Sequence, residues 1–211
     1  MHYLKSALIF LGAAMLCPAQ MTPDQKMIDL FQLSSTYALN YGPAQWKRDA
    51  FKYDLLDLSG WLDKAAKSKD DLDYYEVLVA YVASLNDAHD LFALPSDFEA
   101  YLGFSVDIYD GKVLVDYAGA NANGVPFPVI GDELVSIDGA SVADLMQSFA
   151  NYAVAANPLS SGRVAAALLT DRIQAYMPHA HMVPDVSTVV IRHADGSTDA
   201  LSLAGPRPER R

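Results

Sequence analysis

The stretch GDELVSIDG, residues 131–139, decides the fold of this chain. Its centre, from Leu134 to Ile137, is rich in apolar and β-branched residues, which favour a short strand. Asp138 and Gly139 follow as a turn pair that tolerates positive φ. An apolar segment begins at Val142 and favours a helix. The stretch therefore predicts a strand, a tight turn and a helix in immediate succession.

A second signal lies upstream, where apolar and polar residues alternate. Phe104, Val106 and Ile108 recur at every second position, which is the period of a half-buried strand. Asp110-Gly111 then turns the chain into the apolar run at residues 112–115. This pattern predicts a β-hairpin.

These two signals, with the preceding sequence YLGF at residues 101–104, resemble a PDZ domain. In such a domain the loop before the strand offers backbone N–H groups to a peptide's terminal carboxylate, and the strand edge pairs with the peptide backbone. The alternative from the same residues is a plain hairpin with an amphipathic helix packed on it. The peptide-binding residues that the resemblance implies are Leu102, Gly103, Phe104, Ser105, Val106, Leu145, Phe149 and Tyr152.

Residues 1–20 predict a signal peptide. Lys5 supplies a positive start, and residues 7–16 form an apolar core that is too short to span a bilayer. A lipid-modified Cys17 is a less favoured alternative, because Leu16 is bulky where a small residue is wanted. We therefore expect export to the periplasm or the extracellular space, without stable membrane insertion after cleavage. Cleavage after Ala19 or Gln20 would also remove the single cysteine, so no disulfide is expected.

The charge balance restricts the partners. The chain carries 26 acidic and 15 basic residues, a formal net charge of −11. Such a surface repels nucleic acid and anionic lipid, so nucleic acid is excluded as a partner. We expect polypeptide substrates or their carboxyl-terminal segments as partners, and no cofactor.

The chain divides into a predicted helical part and a predicted β-rich part. Residues 21–100 are predicted as an N-terminal helical domain that starts with a capping box at Thr22 and Gln25. A second helical stretch runs from Trp46 to Leu62 and either ends around Ser59-Gly60 or continues through it, and a third helix is capped near Asp70. Residues 101–205 are predicted as a PDZ-like β-sandwich or barrel with helices inserted between 142 and about 177, interrupted at residues 157–162. Residues 186–191 and 198–203 are predicted to form a closing hairpin around the turn at Asp195-Gly196, followed by a linker at 206–211. The predicted fold class is α+β.

The order of these elements resembles the tail-specific (C-terminal processing), tricorn-like serine peptidases. The motifs that carry the resemblance are Leu85–His89, Gly103-Phe104, Gly131–Leu134, Asp138-Gly139, Ala156–Pro158, Leu169–Arg172 and Pro178. In that family the nucleophilic serine, with its lysine or histidine partner, lies in a further α/β domain after the PDZ-like part. This sequence stops at Arg211, where that domain should begin. The resemblance therefore implies peptide capture and assigns no catalytic residue here.

Three functional hypotheses follow. The first is the substrate-recognising N-terminal portion of an exported serine peptidase. The second is a free-standing, noncatalytic peptide-binding or protease-regulating protein that uses the same groove. The third is a structural module whose groove is filled by its own chain, around residues 126–128.

Other side chains that could carry chemistry have simpler interpretations. Ser160 and Ser161 lie in a Pro- and Gly-bearing segment, which favours helix capping over a nucleophile, since no G-x-S-x-G turn is present. Asp87 and His89 with Asp90 could form a metal site or an acid–base pair, but the favoured interpretation is that Asp87 caps the helix end or bonds His89. His179 and His181 alternate in a proline-flanked loop and give too few ligands for zinc, so no metal site is assigned.

Overall fold

The computed structural model describes residues 20–119 and 126–204. The predicted linker at 206–211 and the predicted signal peptide, apart from Gln20, lie outside these ranges. The described helices are α1 (Pro23–Asn40), α2 (Ala44–Phe51), α3 (Ser59–Lys67), α4 (Asp71–Ala83), α5 (Val142–Phe149) and α6 (Pro158–Ala167). The described strands are β1 (Glu99–Tyr101), β2 (Phe104–Tyr109), β3 (Lys112–Ala118), β4 (Glu133–Ile137), β5 (Ala140–Ser141), β6 (Asp171–Ile173), β7 (Val186–Arg192) and β8 (Thr198–Ala204).

The starts of α1 and α4 confirm the predicted caps. The Thr22 side chain accepts from the Gln25 N–H, while the Gln25 side chain accepts from the Thr22 N–H at 2.8 Å. The Asp70 carboxylate accepts from the Asp73 N–H at 2.8 Å and caps α4. These bonds satisfy donors that the first turn of any helix leaves without an internal partner.

The second predicted helical stretch is divided in two. Helix α2 ends at Phe51 because Lys52 adopts a left-handed conformation with φ of 57°. Helix α3 begins at Ser59, so Gly60 lies inside a helix rather than at a break. The interruption falls at residues 52–58, earlier than the sequence predicts.

Helices α1 to α4 surround one apolar cluster, and we call residues 20–98 the helical region. Leu30, Tyr74 and Tyr81 are among its fully buried side chains. A second apolar cluster fills residues 99–204, the sheet region, with Phe104 and Val189 at its centre. The assignment of separate domains at residue 100 stays a prediction.

The sheet region consists of a main sheet in the order β2-β3-β4-β7-β8, with β5 paired to β4, and a small β1-β6 sheet. All of the pairings are antiparallel. The β7–β8 hairpin closes the fold as predicted. Together with the helices, these sheets confirm the α+β fold class.

The segment after α5 differs from the prediction. A helix interrupted at residues 157–162 was expected to continue to about Met177. Instead Asn157 accepts from the Ser160 N–H at 3.0 Å and caps α6, which begins at Pro158. Asn at the N-cap and Pro at the first helical position are a helix start rather than a break. Residues 171–173 then form β6 against β1.

The two regions contact each other through α4 and through the segment that follows it. The His179 ring Nε2 lies 2.9 Å from the Asp73 carboxylate, and the Leu94 N–H donates to the Ala175 carbonyl at 2.8 Å. Within the described residues no helix is both long enough and apolar enough to cross a bilayer.

Candidate peptide-binding site

Strand β2 lies at one edge of the main sheet, with β3 as its only neighbour in the strand order. Asp110 and Gly111 join the two strands, and both have positive φ, at 49° and 78°, which is the pattern of a type I′ turn. Residues that flank such a turn form a hydrogen-bonded pair, and this bonding alternates along the strand. Tyr109 and Asp107 therefore face β3 with their backbone groups, whereas the Ile108 backbone N–H and C=O face the free edge.

The loop before β2 contains a glycine with a left-handed backbone. Gly103 has a φ of +87°, a left-handed conformation that side chains rarely adopt. Its carbonyl accepts from the Gly119 N–H at 2.9 Å, and the Leu102 N–H donates to the Thr170 carbonyl at 2.9 Å. The loop is thus held from both sides.

Side chains of this loop and of β2 point mainly into the core. Leu102, Phe104 and Val106 are buried, and Ser105 is half-buried. Phe127 covers Gly103: a Cβ at Gly103 would lie 3.2 Å from the Phe127 Cζ, and the Phe127 ring stands edge-on to Phe104. Part of the chain's own 126–128 segment therefore lies against the loop. The third hypothesis, a groove filled by this segment, places it there.

The helix that packs along β2 is α6. A Cβ at Gly162 would lie 3.3 Å from the Ile108 Cδ1, so the glycine lets the helix approach the strand closely. Arg163 and Asp107 also pair across the two elements, and this places α6 antiparallel to β2. Helix α6, which the sequence analysis read as an interruption, is the helix of the candidate groove.

Residues assigned to the groove from α5 lie elsewhere. Helix α5 packs against β4 and β5, and Phe149 is buried with the Arg172 guanidinium 5.1 Å from its ring. Tyr152 lies outside α5, and burial, followed by the influence of the Glu76 carboxylate, raises the pKa of Tyr152. Leu145 packs on the core of the sheet region. The peptide-binding role of the eight named residues stays a prediction.

An ion pair caps the free edge of β2. The Asp107 Oδ1 accepts from the Ile108 N–H at 2.7 Å and from the Arg163 Nε at 3.0 Å, while Oδ2 contacts Arg163 Nη2. Hydrogen bonding from Arg163 holds the pKa of Asp107 below its usual value. A peptide that pairs with this edge has to displace the Asp107 carboxylate from the Ile108 amide. Sequence reasoning missed both residues, because only the fold brings them together.

A second recess, the aromatic cleft, lies where α2, the end of α4 and the start of α6 meet. It has a volume of about 670 Å³, and its walls include Pro43, Trp46, Phe51, Leu85 and Pro158. The sequence analysis assigned none of these residues to a site. There Trp46 and Phe51 serve only as signs of the second predicted helical stretch.

Asp87 and His89 line one end of the aromatic cleft. The Asp87 Oδ1 lies 3.1 Å from the His89 Nδ1, and Oδ2 accepts from the Tyr41 hydroxyl at 2.6 Å. These bonds, Tyr41 first, lower the pKa of Asp87 to about 2. The imidazole itself is 96% exposed. Asp87 therefore does bond His89, as the sequence analysis favoured, and it fixes the orientation of an open ring.

The remaining candidates have structural partners. His179 pairs with Asp73, and His181 Nδ1 lies 2.8 Å from the Gln174 amide nitrogen. The described residues contain no group of three or more potential metal ligands. Ser160 and Ser161 lie in the first turn of α6.

Comparison with known proteins identifies two similarities. A family model described as a PDZ domain matches residues 98–210. Solved structures of mature CPAF, alone, complexed with lactacystin and as a point mutant, match with TM-scores of 0.71–0.72 at 23% identity over 87% of this chain. At this identity the likeness concerns the fold, and this chain spans about a third of the length of those CPAF chains. No match was found among curated proteins.

Proposed function

This chain belongs to the PDZ domain family, and we propose that it captures carboxyl-terminal segments of polypeptides for an exported serine-type protease. The observation that supports this proposal most directly is that the edge strand β2 follows a loop in which Gly103 has a left-handed backbone. Such an edge pairs with an extended peptide, and such a loop offers N–H groups to a terminal carboxylate.

The link to proteolysis rests on the fold. The CPAF structures belong to a serine protease, and they share the arrangement of helices and sheets over most of this chain. The motifs of tail-specific peptidases, Leu85–His89 and Gly131–Leu134, support the finer assignment to that family. Export follows from the leader-like sequence at residues 1–20. A free-standing binding protein with the same groove is the alternative.

A titration with matched peptides tests the capture function. We would use a fluorescein-labelled peptide that ends in Leu-Ala with a free carboxylate, and the same peptide with a carboxyl-terminal amide. The free acid is expected to bind at least about tenfold more tightly, because only the acid can use the loop amides. Equal binding of acid and amide, or no binding of either, would contradict the proposal.

Variants of the loop sharpen this test. Gly103→Val should abolish capture of the acid and leave the helical content measured by circular dichroism unchanged. The matched control is Gly196→Val in the β7–β8 turn, where φ is +88° and a Cβ meets nothing within 4 Å. If Gly103→Val binds the acid like the control, the carboxylate does not use this loop.

A second candidate function concerns His89. A carboxylate on Nδ1 orients the imidazole and leaves Nε2 as the nitrogen that can take a proton from a nucleophile, which is the arrangement of a general base. This role is favoured because the His89 ring is exposed and lines the aromatic cleft. A ring with only a structural role at the helix end would be buried. We propose that His89 acts as the base for a nucleophile that another part of the protease supplies.

Casein hydrolysis by the full natural gene product tests this role. His89→Ala should lower the rate by about 10²–10⁴-fold, the usual contribution of a general base. His181→Ala, which removes another exposed histidine, is the control. A rate unchanged by His89→Ala would leave the ring with only a structural role.

A further inference from the structure

The aromatic cleft has the properties of a binding site that the capture of a terminal carboxylate does not use. Its volume of about 670 Å³ lies in the range of ordinary ligand sites. Trp46 and Phe51 line it with their rings edge to face, 5.0 Å between centroids, yet they are 59% and 64% exposed. Two large aromatic side chains exposed together in one recess are typical of an interaction surface.

The cleft is held open by a buried lysine at its base. The Lys47 amine donates to the Leu85 carbonyl and, at 3.0 Å, to the Asn86 carbonyl. These bonds tie α2 to the end of α4 and fix the wall that carries Trp46. They also engage the ammonium group, so the apolar surface above it is not available as an anion site.

The position of the cleft follows from the direction of α6. This helix starts at Pro158, in the cleft wall, and ends near Thr170, whose carbonyl accepts from the Leu102 N–H. A peptide with its carboxylate at the Leu102–Phe104 loop must run antiparallel to β2. Its upstream residues then leave the groove at the Tyr109 end, beside the start of α6. The carboxylate loop of the groove thus lies near the end of α6, and the aromatic cleft lies at its start.

Charge restricts what the cleft accepts. Asp87 is ionised at neutral pH, since its pKa is about 2. Within the described part of the chain it is the one acidic residue in the lining of a mainly apolar recess, and the Lys47 amine there is already engaged by carbonyls. An acidic side chain would be repelled there, whereas an apolar side chain flanked by a basic residue is complementary.

We propose that the aromatic cleft binds an apolar or aromatic side chain of the same polypeptide, upstream of the segment that pairs with β2. This inference rests on the proposed capture function and adds a second contact to it. A polypeptide substrate would then be selected by its carboxyl terminus and by an upstream apolar residue with a basic neighbour. Two linked contacts raise the affinity because the second binding event becomes intramolecular.

Three labelled peptides with the same free carboxyl terminus test the inference. The first has six residues, as many as β2. The second carries an upstream extension of about six more residues that contains Phe-Leu-Lys, and the third has Ser-Ser-Lys in its place. On the wild-type chain the second peptide should bind about tenfold more tightly than the third. Equal affinities would overturn the inference.

Variants assign the gain to the cleft. Phe51→Ala and Trp46→Ala should each remove most of the advantage of the second peptide without changing the affinity of the first. Phe31→Ala is the matched control, because Phe31 is 56% exposed on α1 and does not line the cleft. An advantage that persists in both cleft variants would overturn the inference.

A peptide without a free terminus separates this inference from the capture function. The Phe-Leu-Lys extension alone, acetylated and amidated, is titrated against the Trp61→Phe variant, in which Trp46 is the only tryptophan. A saturable change in Trp46 fluorescence that the Ser-Ser-Lys version does not produce supports the cleft, even if the six-residue peptide fails to bind. No change at millimolar peptide overturns it.

Discussion

The helical region and the sheet region satisfy their buried backbone groups in different ways. In the helical region, buried side chains donate to carbonyls of the connecting loops: Lys26 to Ser68 and Asp70, Lys47 to Leu85 and Asn86, and Ser34 to Leu55. In the sheet region, the strand ladders pair most of the backbone with itself. Irregular connections between short helices leave carbonyls that only side chains can reach.

This difference determines where a polar side chain matters for stability. Lys26 and Lys47 are 2% and 8% exposed, a rare condition for lysine that requires hydrogen-bond partners for the amine. In the sheet region the hydroxyl of Thr170, only 1% exposed, has no hydrogen-bond partner among the described residues. Removing the buried donors of the helical region should therefore cost more stability than removing the Thr170 hydroxyl of the sheet region.

The largest expected effect is that of Lys47→Met. It keeps the length of the side chain but leaves the Leu85 and Asn86 carbonyls without their donor, so we expect a loss of about 2–4 kcal/mol in the free energy of unfolding. Urea denaturation measures this. The control is Lys52→Met, because within residues 20–119 and 126–204 the Lys52 amine bonds only the Asp49 carbonyl, at an exposed position. Equal losses in the two variants would contradict the structural role of Lys47.

Ser34→Ala should have a smaller effect. The Ser34 hydroxyl is fully buried and donates to the Leu55 carbonyl at 2.8 Å, but the Tyr81 hydroxyl donates to the same carbonyl at 3.1 Å. Since the carbonyl keeps one partner, we expect a loss of about 1 kcal/mol. The double variant with Tyr81→Phe should lose more than the two single variants together, and additivity would refute a shared acceptor.

The Asp107 carboxylate caps the free edge of β2, and its removal should increase the affinity for a peptide. Asp107→Ala frees the Ile108 N–H for an incoming peptide, so the affinity for the free-acid peptide should rise about three- to fivefold. Hydrogen exchange should report faster exchange of the Ile108 amide in the same variant. Asp116→Ala on β3, an exposed acidic residue of the neighbouring strand, serves as the charge control. Unchanged exchange at Ile108 would mean that the capping bond is not formed in solution.

A histidine gives the sheet region a pH dependence. The His193 ring contacts Asp132 at 2.8 Å and Asp199 at 3.2 Å, and these bonds, Asp132 first, raise the pKa of His193. A raised folded-state pKa stabilises the fold fully below the usual histidine pKa of about 6.5, and the stabilisation is lost as pH rises through the folded value. The difference in Tm between wild type and His193→Gln should therefore be larger at about pH 6 than at about pH 8.5. The opposite trend would refute the protonated pair.

The smallest expected effect is that of Thr170→Val. The substitution keeps the shape of the side chain and removes a buried hydroxyl that has no described partner, so stability should change by less than about 0.5 kcal/mol or increase. Thermal unfolding measures this. A loss as large as that of Ser34→Ala would show that the hydroxyl is bonded, and it would weaken the contrast between the two regions.

The elements that the sequence predicts are those set by local rules. The capping box at Thr22, the Asp70 cap and the β2–β3 and β7–β8 hairpins depend on residues within a few positions of each other. The loop at residues 102–104 was predicted from the resemblance to a PDZ domain, and its left-handed φ at Gly103 is one that glycine adopts readily. The caps and hairpins can be predicted because both partners of each interaction lie close together in the sequence.

The features that it does not predict depend on distant partners. Helix α6 begins with Pro158 and carries two serines and a glycine in its first half, so its sequence indicates an interruption of the helical segment, yet Gly162 is what lets it approach Ile108. Strand β6 exists because β1 lies beside it. The aromatic cleft requires α2, α4 and α6 to meet, and no local pattern indicates that Lys47 is buried.

The pairing of β1 with β6 has a consequence for the order of folding. Tyr101 pairs with Asp171, about 70 residues away in the chain, whereas the β2–β3 and β7–β8 hairpins close over a few residues. Contacts of such long sequence separation form late, because the entropy of closing a long loop has to be overcome first. The Leu102–Phe104 loop is adjacent to β1 and is held by the Thr170 carbonyl beside β6. A newly made chain would therefore acquire its hairpins first and its capacity to hold a peptide terminus last.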